Sequence, residues 1–484
     1  MSELQPWHWR SLPLLKRSGA DVFAALFLPR SPLTLGPGQI ATLLESPASD
    51  SAPVTLNRYS ICAGQPRLLG NKACLWTPEL GSILPMLRSQ LRRSPTQFSS
   101  DQCQNLPQDL PFQGGWLGWL GYDLAWEIEQ LPWLKPDTLP FPVAFWYEPD
   151  EFAVLDHGQQ MLWLAATRSA RLDHLQQRLE RFDPGAIAVS KPQLHPKHLS
   201  LEFTQAGYEA AVRQAQGYIQ AGDIFQANLS LRFSAQTHQH PWQIYRQLQA
   251  INPSPFASYW QTPWGAVVSC SPERLVQLQG QQAQTRPIAG TRSRGESWAQ
   301  DQAQADELSR NEKEIAEHIM LVDLERNDLG RVCDWGSVRV DELLSIERYS
   351  HVMHLVSNVS GRLKADQDAV DLVQAMFPGG TITGCPKVRC MEIIEQLEPG
   401  RRSLFYGSCG YLDRRGHLDL NILIRTLLLA PGSMAIADRS QTVSHQVWGQ
   451  VGAGIVADSD PTREWLESLQ KARAQLLALG ITAA

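Results

Sequence analysis

The 484-residue chain predicts an α+β fold in which antiparallel sheets are covered by helices. Three observations carry that expectation. Short β-periodic runs recur along the chain, and hairpin-like turns such as Arg414-Arg415-Gly416 favour antiparallel pairing. Helical periods alternate with them, most plainly over residues 311–330 and after Asp460-Pro461. No internal repeat of about 20–50 residues is visible, so a solenoid or propeller is not expected. A chain of this length builds two or three ordinary domains, or one large fold of two intertwined lobes.

Composition narrows the class. Hydrophobic residues at 43% and charged residues at 19% suit a soluble globular enzyme. A net charge of −6 with no long basic cluster argues against nucleic acid as a partner. The eight cysteines form no CxxC and no metal-finger spacing, so reduced thiols in a cytosol-like compartment are expected. No apolar run approaches the roughly 18 residues of a membrane span. The opening MSELQPWHWRSLPLLKR lacks a signal peptide's unbroken apolar core. The expectation is a cytoplasmic protein with no membrane partner.

In chain order, residues 39–46 (QIATLLES) and 58–62 (RYSIC) flank a turn-rich PASDSAP and read as the first strands of a half-buried sheet. Gly114, Gly115, Gly118 and Gly121 interleave with Trp116, Trp119 and Tyr122, which permits close backbone approach under bulky rings. A ligand lid is one use of that pattern, and sheet-core packing is the favoured one. Strands follow at 142–146, 152–155 and 161–165, then a surface helix over 169–182. Residues 183–201 carry three prolines and no helical period, so they read as a linker between an N-terminal lobe, 1–182, and a second lobe, 202–484. The second lobe opens with a helix over 204–221 and a strand over 224–233. Further strands are expected at 264–269, 275–278, 338–340, 408–412 and 419–429.

The chemistry concentrates in that second lobe. Residues 311–330 (NEKEIAEHIMLVDLERNDLG) set Ile315, Ile319, Leu321, Val322 and Leu324 at helical spacing, with Asn327, Asp328 and Gly330 as a stop. Glu314 and Glu317, three apart, leave one face. Alone such a run reads as a solvated face, but the last helix carries a second acidic set. There Asp460 is the N-cap, Pro461 takes the first turn, and Glu464, Glu467 and Lys471 share a face. Two such faces offer only oxygen ligands, the preference of Mg²⁺.

Ser271-Pro272-Glu273 follows an apolar strand. A carboxyl desolvated there keeps its proton near neutral pH and serves as a general acid; a capping or turn role is the plainer alternative. Residues 377–387 (FPGGTITGCPK) enter a helix through paired glycines, whose N–H groups suit a carboxylate or phosphate, without the GK[ST] ending of a Walker loop. Arg425, inside an apolar strand, needs an anionic partner or an exit to solvent. Gly452-Ala453-Gly454 offers backbone close to the acidic last helix.

Five segments in order, RPIAGTRSRG, AEHIMLVDLERNDLGRV, YSHVMHLVSNVSG, FPGGTITGCPKVRCMEIIEQLEP and VGAGIVADSDP, resemble the chorismate-utilising enzymes. They most resemble the large, component I subunits of aminodeoxychorismate synthase and anthranilate synthase. The similarity is dense from Thr204 onward and thinner at LLES, RYSICAG and GGWLGWLGYD. The resemblance implies a component I-like fold of two intertwined lobes. It implies Glu317 and Glu467 as Mg²⁺ carboxylates, with Glu314 and Glu464 beside them, the metal holding the ring carboxylate of chorismate. It implies Glu273 as the acid that protonates the departing C4 hydroxyl. Arg425, Lys471 and the backbone of Gly452, Ala453 and Gly454 would bind the substrate carboxylates. Thr381 and His354 would line the ring, and Phe405 or Tyr406 would supply a further contact.

Ammonia would come from a separate glutamine amidotransferase subunit, because no Cys-His-Glu amidotransferase segment occurs in this sequence. Ala289 stands where some aminodeoxychorismate synthases carry a lysine, which implies direct addition of ammonia. QANL (226–229), PGGTITG and DSDP resemble the aminodeoxychorismate type more than the anthranilate type. The expected reaction is therefore amination of chorismate to 4-amino-4-deoxychorismate, on the way to 4-aminobenzoate and folate. Anthranilate synthase is the alternative, and a non-catalytic tryptophan-binding paralogue a third reading. Glu45 and Ser46, with Pro255 and Phe256 in NPSPFA, match the two walls of the tryptophan pocket of anthranilate synthases. Phe256-Ala257 departs from the Tyr-Met common in feedback-regulated enzymes.

Overall fold

The structure, a computed structural model, describes residues 6–28, 39–46, 56–93, 106–183, 199–349, 352–432 and 444–482. The turn at 47–55 and most of the expected linker, 184–198, lie outside the described residues. Every residue of Glu151–Asp156 and of Gly265–Ser271 is buried, so these strands meet protein on both faces. They lie in a twelve-stranded antiparallel sheet. Its order is His8–Pro13, Met161–Ala166, Glu151–Asp156, Tyr59–Ala63, Ala41–Glu45, Phe256–Thr262, Gly265–Ser271, Thr426–Pro431, His445–Ile455, Gln226–Thr237 and Ser200–Leu201, with Gly384–Cys385 also on Gln226–Thr237.

A second antiparallel sheet has ten strands. Its order is Ile288–Ser293, Val352–Arg362, Gln282–Thr285, Arg274–Gln279, Leu418–Asn421, Ser408–Asp413, Gly115–Leu120, Ala144–Tyr147 and Leu75–Trp76, with Arg339–Arg348 beside Val352–Arg362. Both sheets mix strands from before and after residue 183. Ala41–Glu45 pairs with Phe256–Thr262, and Gly115–Leu120 with Ser408–Asp413. The two halves are interleaved.

The main core lies between the sheets, where Trp119 meets Trp260 edge-on at 5.8 Å. The Gly-Trp alternation serves that core: Gly115–Leu120 is buried throughout. A Cβ on Gly118 would lie 2.2 Å from the Phe145 carbonyl oxygen. Helices Gly19–Leu26, Ser169–Glu180, Pro241–Ile251 and Pro461–Ala478 bury their apolar stripes on the outer face of the larger sheet. Glu312–Val332 and Ala369–Met376 pack on the smaller one. No helix among the described residues is long and apolar enough to cross a membrane.

Two expectations change. The apolar run at 419–429 is two strands, because Leu418–Asn421 belongs to the ten-stranded sheet and Thr426–Pro431 to the twelve-stranded one. Arg425 therefore sits in the crossing, at φ +50°, and not inside a strand. Both sheets bury the run, so its periodicity could not reveal the break. A neighbouring crossing joins Gly265–Ser271 to Arg274–Gln279 through Pro272-Glu273. The two crossings run side by side: Ile422 N–H donates to the Glu273 carbonyl at 3.0 Å, Cys270 N–H to the Arg425 carbonyl at 3.2 Å, and the Ser271 hydroxyl to the Ile422 carbonyl at 2.6 Å.

The long helix also differs from expectation. Asn311 caps it through its side chain, but it runs to Val332, past Asn327, Asp328 and Gly330. Asp328 does not stop the helix, because it is buried and paired with Lys387. Ile319, expected on the apolar stripe, is 49% exposed. The inward stripe is His318, Leu321, Val322, Glu325, Asp328, Leu329 and Val332, so it carries three polar groups.

These contacts make opposite forecasts for two glycines. Gly118→Ala should lose roughly 1–3 kcal/mol of stability through overpacking. Gly217→Ala, in a helix with nothing within 4 Å of the new methyl, should gain roughly 0.5–1 kcal/mol. Denaturant titration of both variants checks the pair.

Candidate active site

The paired crossings bring Glu273 and Arg425 to one place. Glu273 is 6% exposed. Burial pushes its carboxyl up to about 7, while the Thr381 hydroxyl, the Ile288 N–H and the Arg425 charge pull it part of the way back. Arg425 donates to Asn252 Oδ1 at 2.9 Å. Among the described residues it makes no ion pair with a carboxylate, although burial disfavours its charge. A half-buried guanidinium in that condition is suited to an incoming anion.

His354 faces the same region from Val352–Arg362. Its Nδ1 lies 3.0 Å from the Thr291 hydroxyl and 3.4 Å from the Gly290 carbonyl. Burial and the Arg425 charge lower it to about 3, so the ring is neutral at physiological pH. Thr381 lies in the Gly380–Thr383 turn, and its carbonyl accepts from Asn228 Nδ2 at 3.3 Å. Asn228 Oδ1 and Gln226 Oε1 are both buried without a hydrogen-bond partner. Buried polar atoms are normally paired, so these two orphans mark a place for polar ligand groups.

Gly452, Ala453 and Gly454 lie opposite Ser230, Leu229 and Asn228 in the larger sheet. The Gln226 amide nitrogen would be 2.5 Å from a Cβ on Gly454, so only glycine leaves that backbone accessible beside it. Lys471 donates to the Gly452 carbonyl at 3.0 Å and pairs with Glu467 at 2.8 Å. The two aromatic candidates separate. The Tyr406 hydroxyl would lie 3.0 Å from a Cβ on Gly452, whereas Phe405 packs under the Arg232 guanidinium.

The acids gather in part. Glu317 and Glu464, from the two acidic helices, are each raised by burial and feel other carboxylates, Glu464 among those around Glu317. Lys313 is the cation that faces both. Glu467 is 52% exposed and held by Lys471, and Glu314 is held by Arg292 at 3.1 Å. No group of three or more His, Cys, Asp or Glu among the described residues is gathered closely enough to hold a metal by itself. A half-buried Glu317 and a buried Glu464 of like charge fit an ion such as Mg²⁺, which is usually held by one or two carboxylates with waters and substrate.

Glu45, Ser46, Pro255 and Phe256 line one cavity of about 120 Å³, apart from these groups. Ser46 donates to the Pro255 carbonyl, and Glu45 accepts from Ala20 N–H, Tyr245 and Gln249. The contact of Asn252 with Arg425 had no sequence signal, because it comes from a distant loop.

Residues 81–477 match the model of a family described as chorismate binding enzyme. The chain belongs to that family. It is 60% identical to an anthranilate synthase component I-like protein of Synechocystis sp., over 99% of this chain and 93% of that one. It is 46% identical to aminodeoxychorismate synthase component 1 of Bacillus subtilis, over 77% of this chain and 78% of that one. The crystal structure of anthranilate synthase component I from Streptococcus pneumoniae superposes with a TM-score of 0.72 at 32% identity, covering 86% of this chain and 92% of that one. This chorismate-binding chain is thus an enzyme of the anthranilate and aminodeoxychorismate synthase family.

A reaction that needs the Glu273 proton should fail as pH rises through about 7, because the acid is then ionised. Glu273→Gln keeps the shape but has no such proton, and should slow the chemical step roughly 10²–10⁴-fold. Single-turnover consumption of chorismate across pH measures both effects.

Proposed function

We propose that the chain aminates chorismate to 4-amino-4-deoxychorismate, acting as the component I partner of a glutamine amidotransferase that supplies ammonia in the cytoplasm. One arrangement carries this reading: the buried Glu273 carboxyl, raised to about 7, faces Arg425, which pairs with no carboxylate among the described residues. Gln226 and Asn228, the side chains that resemble the aminodeoxychorismate type, each hold a buried oxygen without a hydrogen-bond partner. The Bacillus subtilis relative supports the same assignment.

In this mechanism Arg425 and Lys471 neutralise the substrate carboxylates, and His354 borders the ring without adding charge. The C4–O bond breaks with its electron pair on oxygen, which takes the Glu273 proton and leaves as water. Ammonia supplies the new C–N electron pair and sheds a proton, and the enolpyruvyl ether is retained. Mg²⁺, held through Glu317 with Glu464 or Glu467, would offset the charge of a substrate carboxylate. Thr381 and Tyr406 complete the polar wall. The Glu45–Phe256 cavity, with Arg274 and Asp419 paired at 2.9 Å in its lining, would take a zwitterionic aromatic amino acid such as tryptophan.

The Synechocystis relative favours a second reading, formation of anthranilate with loss of pyruvate. Product analysis separates the two. With chorismate, ammonia and Mg²⁺, this protein alone should release no pyruvate to a lactate dehydrogenase couple. Adding an aminodeoxychorismate lyase should then yield pyruvate and 4-aminobenzoate. Anthranilate fluorescence before the lyase is added would reverse the assignment.

A further inference from the structure

Lys387 opens the helix Lys387–Leu397, where its charge meets the positive end of the helix dipole and is disfavoured. Its side chain turns away to two partners. Nζ donates to the Met376 carbonyl at 3.2 Å and pairs with Asp328 at 2.5 Å. Met376 ends the helix Ala369–Met376, so the ammonium sits where a helix C-terminus favours positive charge. Asp328 lies on the inward stripe of Glu312–Val332 and is only 3% exposed. One side chain thus closes residues 377–386 into a loop and pins the neck of that loop to the long helix.

The loop is pressed between the long helix and the paired crossings. A Cβ on Gly380 would meet Leu324 of the helix at 2.4 Å, and a Cβ on Gly379 would meet Ile422 at 2.8 Å and Leu275 at 3.4 Å. Ile422 is the residue whose N–H donates to the Glu273 carbonyl, so the loop touches the crossing that carries the acid. The Thr383 hydroxyl donates to the Gly379 carbonyl at 2.9 Å, and Arg402 to the Ile382 carbonyl at 2.7 Å. Gly384 and Cys385 pair with Ala227 and Gln226. Those bonds shape the turn and hold its far end, and Lys387 joins its start to its end. Thr381 stands in the middle, with its hydroxyl toward Glu273. The charged groups facing Glu273 are Arg425 from the neighbouring crossing and Glu325 from the long helix.

We propose that Lys387 is a positioning residue: through Met376 and Asp328 it holds the 377–386 loop on the long helix and so keeps Thr381 against the Glu273 crossing. The inference rests on the acid role proposed for Glu273. Glu273 does the chemistry, and Lys387 fixes the wall that it faces. The Thr381 hydroxyl lowers the Glu273 carboxyl, so a loop that drifts away leaves that carboxyl higher. A general loosening that admits water acts in the opposite direction, toward the 4.5 of a solvated glutamate. The direction of the change therefore distinguishes positioning from packing.

Lys387→Met alone strands a buried Asp328, so the decisive variant combines Lys387→Met with Asp328→Asn and removes both charges together. Its thermal melt reports the fold. Its kcat should fall roughly 10–100-fold, with KM for chorismate little changed, because Arg425 and Lys471 lie on other elements. The alkaline limb of its kcat should move up from about 7. Thr381→Val should move the limb the same way, and adding it to the paired variant should move it no further. A limb that stays in place or moves down, an unchanged kcat, or limb shifts that add would each overturn the proposal. Glu273→Gln separates the two failures. If it retains first-turnover chemistry, the acid assignment itself is wrong; if it loses that chemistry while the paired variant leaves the limb in place, only the role of Lys387 is wrong.

Discussion

Desolvation of one carboxyl, where two strands pass together from one sheet to the other, is the constraint on which the site depends. Raising Glu273 from 4.5 to about 7 corresponds to about 3 kcal/mol in favour of its neutral form. That preference lasts only while water is kept out, so the crossing must be rigid. Backbone bonds between Cys270–Glu273 and Ile422–Arg425 supply the rigidity. The same geometry delivers Arg425 at a left-handed φ with its guanidinium turned to Asn252. Acid and cation are therefore consequences of a single feature of the topology.

The wall opposite is tied down by charge. Arg402 is buried and pairs with Glu398. It also donates to the Ile382 carbonyl at 2.7 Å and the Asn228 carbonyl at 2.6 Å. One guanidinium thus fixes the turn that carries Thr381 against the strand that carries Asn228. Tyr122 and Tyr406 lie close to its charge, at 4.8 Å and 4.6 Å. A buried ion pair adds little net stability over an apolar substitute, so its use here is to hold a single arrangement of the wall.

Much of this was legible in the sequence, for identifiable reasons. Alternation and turn residues located the strands at 58–62, 152–155 and 161–165 within a residue or two. Asp460 was readable as a cap because capping is local chemistry, whereas the helix from Asn311 ran past its expected end. What stayed hidden depends on contacts distant in sequence. The break at 422–425 lies in a run buried on both sides of it, so no period marks it. Rotation of the long helix turned Ile319 outward and Glu325 inward against the hydrophobic pattern, because Asp328 follows Lys387. Asn252 reaches Arg425 from 173 residues away. The acids of the last helix were placed on one face correctly, yet Glu464 is buried while Glu467 turns to Lys471.

The most direct measurement of the central claim is the protonation state of Glu273 itself. Infrared difference spectra of the protein minus Glu273→Gln, recorded through a pH titration, isolate its carboxyl band. The account predicts a protonated-carboxyl stretch that persists at mildly acidic pH and disappears with a midpoint near 7. Disappearance near 4.5, the value of an ordinary solvated glutamate, would contradict it.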